Sequence, residues 1–218
     1  MSPLPSHMRD RWLNRTEPGA RAGTIYWHVL MRTYPGAQKA ALNAQRILSG
    51  FPGFHMTPHE WLHMTTLTVG STEEVSRQQM IQMLEGAQQI LSHVEPIPVK
   101  LGKILYHPEA VMLAVHPAGA LKPILNAAQK VTLTVTGRPG LIDGSHEWTP
   151  HMTVSYSTAS QSADPIIAAL GKTVGEYHVV VDALTLVVQW GAERLWDWEP
   201  VGTATLGSPR PSCRPKPA

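Results

Sequence analysis

The sequence predicts a protein of mixed helices and strands built as two similar halves, and three observations carry that expectation. A short phrase occurs twice, as His63-Met64-Thr65-Thr66-Leu67 and as His151-Met152-Thr153-Val154-Ser155. The approach to each is echoed, with His59-Glu60-Trp61 before the first and His146-Glu147-Trp148 before the second. Around both, β-branched runs alternate with segments of helical apolar spacing. Within each phrase an imidazole and a hydroxyl are two residues apart, a spacing that puts both on one face of a strand and turns Met64 or Met152 toward a core.

Residues 1–21, rich in Pro, Arg and Ser without periodicity, read as a disordered arm. Residues 24–31 are β-branched and aromatic and should form the first strand, closed by Pro35-Gly36. Residues 37–48 carry apolar positions at Ala41, Leu42, Ala44, Ile47 and Leu48 and end at Gly50 and Pro52, the pattern of an amphipathic helix. Residues 61–69 form the second strand. Ser71 and Glu74 then make a capping box for a helix whose apolar positions run from Val75 to Leu91. Residues 97–106 and 110–116 alternate as a hairpin around His107-Pro108-Glu109.

The second half repeats the alternation. Residues 119–129 have helical spacing, whereas 131–135 turn β-branched and leave the helix end open. A turn-rich stretch, Gly137-Arg138-Pro139-Gly140, leads toward the second phrase, where Pro150 precedes His151 at the strand's start, the position at which its missing N–H costs least. Residues 164–170 form a short helix, 178–190 and 194–201 the last strands, and 203–218 a second disordered tail. The domain between the tails is thus 22–202, with one phrase in each half.

Composition narrows the class. With 218 residues, 43% of them apolar, the chain has enough material for a full core. The single Cys213 excludes a disulfide framework and a cysteine-based metal site, no leader-like apolar stretch opens the chain, and no run is long enough for a membrane span. A soluble, cytoplasmic protein is expected. Seven of the 18 basic residues lie in the two tails, so residues 22–202 hold 11 bases against 14 acids, a net charge of −3. That sign opposes a broad surface tracking a long nucleic acid and leaves room for a local phosphate site.

Two histidines facing one cleft form an acid and base couple near neutrality, because an imidazole of pKa about 6.5 can be either neutral or protonated there. Phosphodiester cleavage needs that couple: a base takes the proton of the attacking hydroxyl or water, and an acid protonates the departing oxygen. Thr65 and Thr153 would donate to the non-bridging phosphate oxygens, and no metal or cofactor is required. His28, on the first strand, and Ser155, which shares the face of His151 and Thr153 by strict alternation, are further candidates for binding substrate. Tyr156 then falls on the opposite face, and Trp61 and Trp148 could stack on a base or simply pack.

The two phrases resemble the signature of the two-histidine (2H) phosphoesterases, which include the 2'-5' RNA ligases and cyclic phosphodiesterases: His, hydrophobic, Thr or Ser, hydrophobic, once in each lobe. His151-Met152-Thr153-Val154 matches fully, while Thr66 stands at the hydrophobic fourth place of the first copy. The resemblance covers about residues 24–201. It implies an α+β fold of two similar lobes, each a mainly antiparallel sheet with flanking helices, related by a pseudo-twofold around a central cleft. His63, Thr65, His151 and Thr153 would line that cleft as catalytic residues. The implied substrates are RNA ends or small nucleotides bearing 2',3'-cyclic phosphates or 2'-5' linkages, cleaved by a phosphodiesterase or joined in the reverse direction.

Two other readings compete. His59-Glu60-Trp61-Leu62-His63 fits the H-E-x-x-H pattern of zinc metalloproteases, but the strand-forming run after His63 opposes the helix that pattern requires. A nucleotide- or RNA-binding protein without significant catalysis would keep the same cleft; the intactness of all four residues favours the enzyme. A third His-x-Thr, at His55, is followed by Pro58 and reads as a loop coincidence.

Overall fold

The computed structural model describes residues 4–13, 15–142 and 148–207. His146 and Glu147 of the second echo, and the tail from 208 on, lie outside the described residues. The strands in chain order are β1 (His7–Met8), β2 (Gly23–Val29), β3 (Phe54–Met56), β4 (Met64–Ser71), β5 (Ile97–His107), β6 (Ala110–His116), β7 (His151–Ser157), β8 (Gln161–Ser162), β9 (Thr173–Val181), β10 (Ala183–Trp190) and β11 (Trp198–Thr205). The α-helices are α1 (Pro35–Leu48), α2 (Arg77–Leu91), α3 (Lys122–Thr136) and α4 (Asp164–Leu170).

Two antiparallel sheets organise these elements. One has the order β11-β10-β2-β4, the other β3-β7-β6-β5-β9, and β1 pairs with β8 alone. Helices α2 and α3 pack on each other and on β11 and β4 of the first sheet; α1 packs on β9, β5 and β7 of the second and meets α4. The phrases therefore fall one to each lobe, as expected. The lobes are not the two halves of the sequence, however. Residues 178–190, which read as one strand, break at Asp182, where the chain leaves the second sheet as β9 and enters the first as β10. Asp182 holds that crossing by accepting from the Tyr34 hydroxyl at 2.8 Å and, through its carbonyl, from the Leu206 N–H at 2.8 Å. No glycine or proline marks the break; Asp182 alone interrupts two β-branched and apolar runs, residues 179–181 and the stretch from Ala183, which read together as one strand and conceal a change of lobe.

Other boundaries differ from the expected ones for identifiable reasons. Helix α1 begins at Pro35, whose missing N–H is harmless at a first helical position. Ser71 and Glu74 do hydrogen-bond, but they close a turn; the capping box of α2 is Ser76 with Gln79, five residues on. Helix α3 continues through the β-branched Val131 and Thr132 because both lie on its buried face, and the Thr132 hydroxyl accepts from Trp27 Nε1 at 3.2 Å. Tertiary contact overrides the weak strand preference there. Gly137, at φ 72°, ends the helix in the left-handed region. Gly102 is needed for close approach: a Cβ there would meet the Gly175 carbonyl oxygen at 1.8 Å, where β5 shifts register against β9.

Both presumed tails are partly structured. The first contributes β1, and Met8 is fully buried, so an arm read as disordered from composition is docked on the second lobe. Residues 203–205 belong to β11, with Ala204 buried and the Thr205 N–H donating to Gln88 at 2.9 Å. Single anchoring side chains in polar runs leave no periodicity to read. No helix among the described residues is long and apolar enough to cross a membrane.

The main apolar core lies beneath the helices and is continuous across the lobes. A second, smaller cluster includes Val187, Trp198, Tyr26 and Trp61 from around the first sheet and Ala110, Met112 and Tyr156 from the second, with Trp12 of the docked arm. It lies between the sheets, beside the approach of β4 to β7.

Candidate active site

His63 stands directly before β4 and His151 begins β7, strands that approach each other across the lobe boundary. Each imidazole is oriented by the same local device. His63 Nδ1 donates to the Trp61 carbonyl at 2.7 Å, and His151 Nδ1 donates to the Thr149 carbonyl at 2.7 Å, in both cases the residue two before. A ring that donates from Nδ1 has its available lone pair, or its second proton, on Nε2. Neither ring is fully buried, nor are Thr65 and Thr153, whereas Met64 and Met152 are buried as the alternation predicts.

The alternation then breaks at the same place in both phrases. Across β2, Trp27 opposes Leu67 and His28 opposes Thr65, so Thr66 is an unpaired extra residue; across β6, Val111 opposes Ser155 and Met112 opposes Thr153, so Val154 is its counterpart. A bulge at the fourth place reverses the sidedness of the residues after it. Thr68 consequently faces the cavity, and Tyr156 comes within hydrogen-bond reach of Thr153. Ser155, expected to face substrate, is fully buried with its hydroxyl donating to the His55 carbonyl at 3.1 Å, and that expectation is corrected. Thr66 keeps its hydroxyl buried without a partner, a packing cost that Val154 avoids.

A cavity of about 310 Å³ opens beside the first phrase, lined by His63, Thr65, Thr68, Tyr26, Gln189, Arg11, Glu193, Leu141 and Ile142. Glu193 joins it to the second lobe, since its Oε1 accepts from the Tyr156 hydroxyl at 3.1 Å. Sequence reading misses Arg11, Glu193, Gln189 and the Leu141-Ile142 wall. Thr68 and Tyr156 could be found only by knowing the bulges.

His63 is enclosed by rings: His28 stacks on it at 4.4 Å and Trp198 meets it edge-on at 4.5 Å. Burial pushes its pKa down to about 4, and the charge of His151 adds to this against the opposing pull of the Trp61 carbonyl and Glu193. The neutral imidazole is thus the form present at pH 7. Because the folded value lies below the ordinary one, the unfolded chain takes up the proton first on acidification. His63 then contributes stability in full above about pH 6.5, and that contribution is lost as pH falls through about 4.

His28 is on the expected strand but only 2% exposed, with Nε2 3.3 Å from Thr65 Oγ1, so it lies behind Thr65 rather than facing the cavity. Burial, and then the charge of His63, hold its pKa well below the ordinary histidine range. His55 lies on edge strand β3, not in a loop, and accepts from Trp196 Nε1 at 3.1 Å. Trp148 packs against the core and donates to the Thr65 carbonyl at 3.2 Å, and Trp61 packs edge-on against Trp198. Arg138 is ion-paired to Glu74. The H-E-x-x-H reading fails on geometry, because residues His59–Trp61 form a single 3-10 turn and His63 leads into a strand, so no helix presents the two histidines together.

Two antiparallel sheets that each bring one Nδ1-anchored histidine and one threonine to a shared boundary define a two-histidine phosphoesterase fold. The sequence pattern of the 2'-5' RNA ligase superfamily matches residues 35–193, and the chain belongs to that superfamily. No curated protein sequence matches it. Among solved structures, TT0787 of Thermus thermophilus is similar with a TM-score of 0.63 and 14% identity over 84% of this chain and 97% of that one. LigT of E. coli complexed with ATP gives 0.60 and 14%, over 86% and 99%. LigT complexed with 3'-AMP gives 0.59 and 17%, over 85% and 98%. At these identities the likeness establishes the fold.

Proposed function

We propose that this protein is a metal-independent phosphodiesterase that hydrolyses a 2',3'-cyclic phosphate or a 2'-5' linkage of a ribonucleotide or RNA end, and joins 2'-5' ends in reverse when both are held together. The carrying observation is the matched pair of Nδ1-anchored imidazoles, each with Nε2 left for proton transfer and a threonine beside it. In hydrolysis the neutral His63 takes a proton from the attacking water as its oxygen bonds to phosphorus. The bond to the ribose oxygen breaks, and His151 supplies the proton to that oxygen. Thr65 and Thr153 donate to the non-bridging oxygens, which gain charge in the transition state. His28 serves behind Thr65, holding its hydroxyl, rather than binding substrate. In ligation the two histidines exchange roles. Capture of ATP and 3'-AMP by the structurally similar LigT supports a nucleotide as the ligand class.

A screen of 2',3'-cyclic nucleotides and 2'-5' dinucleotides, run with EDTA present, should yield turnover equal to that without chelator. Rates that collapse on chelation, or binding with no turnover of any member, refute the reading; the second result would identify a nucleotide-binding protein instead.

The role given to His63 has its own test. A general base must be deprotonated, and kcat/KM reports the free enzyme, so its acidic limb should fall near pH 4 rather than at the ordinary imidazole value. An acidic limb at pH 6.5 or above removes His63 from the base role.

A further inference from the structure

We propose that Arg11 is a positioning residue that masks the Glu193 carboxylate, so that an anionic phosphodiester can occupy the cavity beside His63. It belongs to the segment preceding the matched range of residues 35–193, and the inference rests on the phosphodiesterase reading above. Among the described residues, Glu193 is the one carboxylate lining the cavity and Arg11 the one permanent cation. They form a two-pronged pair, Arg11 Nε to Oε2 at 2.8 Å and Nη2 to Oε1 at 3.0 Å, while Nη1 reaches Glu109 at 3.4 Å. The guanidinium also covers the Tyr156 ring at 4.5 Å, and its side chain is only 18% exposed. A planar fork matched to a carboxylate in this way fixes both partners.

The backbone places Arg11 there. The Arg9 N–H donates to the Pro108 carbonyl at 2.7 Å, the Arg11 N–H to the Ser157 carbonyl at 2.9 Å, and the Ser6 carbonyl accepts from Ala163 at 3.0 Å. Buried Met8 anchors the stretch from below. Arg11 thus joins Glu193, in the turn between β10 and β11 of the first lobe, to Glu109 and Tyr156 of the second.

Charge supplies the chemistry. A bare carboxylate on the wall would repel the phosphate that the two histidines must receive. At the effective dielectric near 20 that suits partly buried groups, such repulsion across several ångströms weakens binding on the order of tenfold or more. The charged and titratable groups involved are Arg11, Glu109 and Tyr156 around Glu193, and His28, His151 and Glu193 around His63. Burial lowers the Arg11 pKa, but the bond to Glu193 together with the charges of Tyr156, Glu193 and Glu109 outweighs this and holds it above the ordinary value, so the mask persists at every working pH. Loss of Arg11 should also let Glu193 favour the His63 imidazolium more strongly, which moves the acidic limb of kcat/KM upward.

The test compares the full chain with Arg11→Gln, Arg11→Lys, Glu193→Gln and the double variant Arg11→Gln/Glu193→Gln. KM and kcat are measured on 2',3'-cyclic nucleotides, and the Kd of an unreactive 3'-nucleoside monophosphate is measured by calorimetry. Arg11→Gln should raise KM and Kd at least tenfold with a smaller change in kcat. Arg11→Lys should fall between it and the wild type, and the double variant should return to within about threefold of wild type because no carboxylate then lines the cavity, Glu109 lying off its wall and keeping its pairing with Arg15. Recovery on removing the acid is a result that simple loosening of the docked arm does not produce. An Arg11→Gln variant with unchanged KM and Kd, or a double variant no better than the single, overturns the proposal. A wild type that binds the 3'-nucleotide without turning over any substrate overturns the catalytic reading and leaves the calorimetry to decide this one. A wild type that binds nothing overturns both.

Discussion

Alanine at His63 or at His151 is expected to lower turnover by about two to four orders of magnitude, the usual contribution of a positioned general acid or base. The two substitutions should not multiply. Once one partner of a concerted proton transfer is gone, the other has little left to contribute, so the double variant should sit close to the worse single one. Control of folding matters more at His63, because its ring packs between His28 and Trp198 and alanine opens a gap there. His63→Asn keeps more of that volume and should be as inactive as alanine, with an unfolding midpoint nearer the wild type. Turnover within threefold of wild type in either alanine variant removes that histidine from the mechanism.

The largest stability loss is expected at Trp27. Its side chain is fully buried on β2, and its indole N–H bonds the Thr132 hydroxyl on α3, so one residue ties the first sheet to the helix covering it. Truncating a buried tryptophan to alanine costs about 3–5 kcal/mol through lost burial and the cavity left behind. Against a total stability of roughly 5–15 kcal/mol, that is enough to populate the unfolded state on mild warming. Trp27→Phe should lose much less, the hydrogen bond itself contributing about 1 kcal/mol. Urea titration of the three proteins measures the order, and an alanine variant within about 1 kcal/mol of wild type contradicts it. Because β2 also carries Tyr26 and His28, Trp27→Ala should blunt activity before global unfolding.

The residues that approach the lobe boundary show where sequence reading reaches and where it stops. His63, Thr65, His151 and Thr153 are legible because strand alternation over three residues places imidazole and hydroxyl together without help from the rest of the chain. Ser155 and Tyr156 go to the wrong faces under strict alternation because one unpaired residue, Val154, lies between them and the start of the phrase. A bulge is a relation between two strands, and neither strand spells it alone. The uninterrupted helix α3 is a similar case: Val131 and Thr132 favour strand by themselves, and only the sheet they cover makes them helical. Arg11 is the extreme case. It lies in a run of Pro, Arg and Ser with no pattern, yet its guanidinium meets a carboxylate 182 positions away.

Local chemistry, then, settled the duplicated His-x-Thr phrases, the presence of helices α1, α2 and α4 and the hairpin of β5 and β6, since each depends on spacings within a few residues; the helix faces it read only in part, because Leu42 of α1 and Ile81 of α2 are exposed. Three-dimensional packing settled which sheet each strand joins, the crossing at Asp182, the paired bulges and the Arg11 to Glu193 clamp. The reason is physical: a side chain's facing along one strand comes from backbone geometry, whereas contacts between distant segments are chosen by the competition of the whole fold for buried surface and hydrogen-bond partners, and that competition leaves no period in the chain.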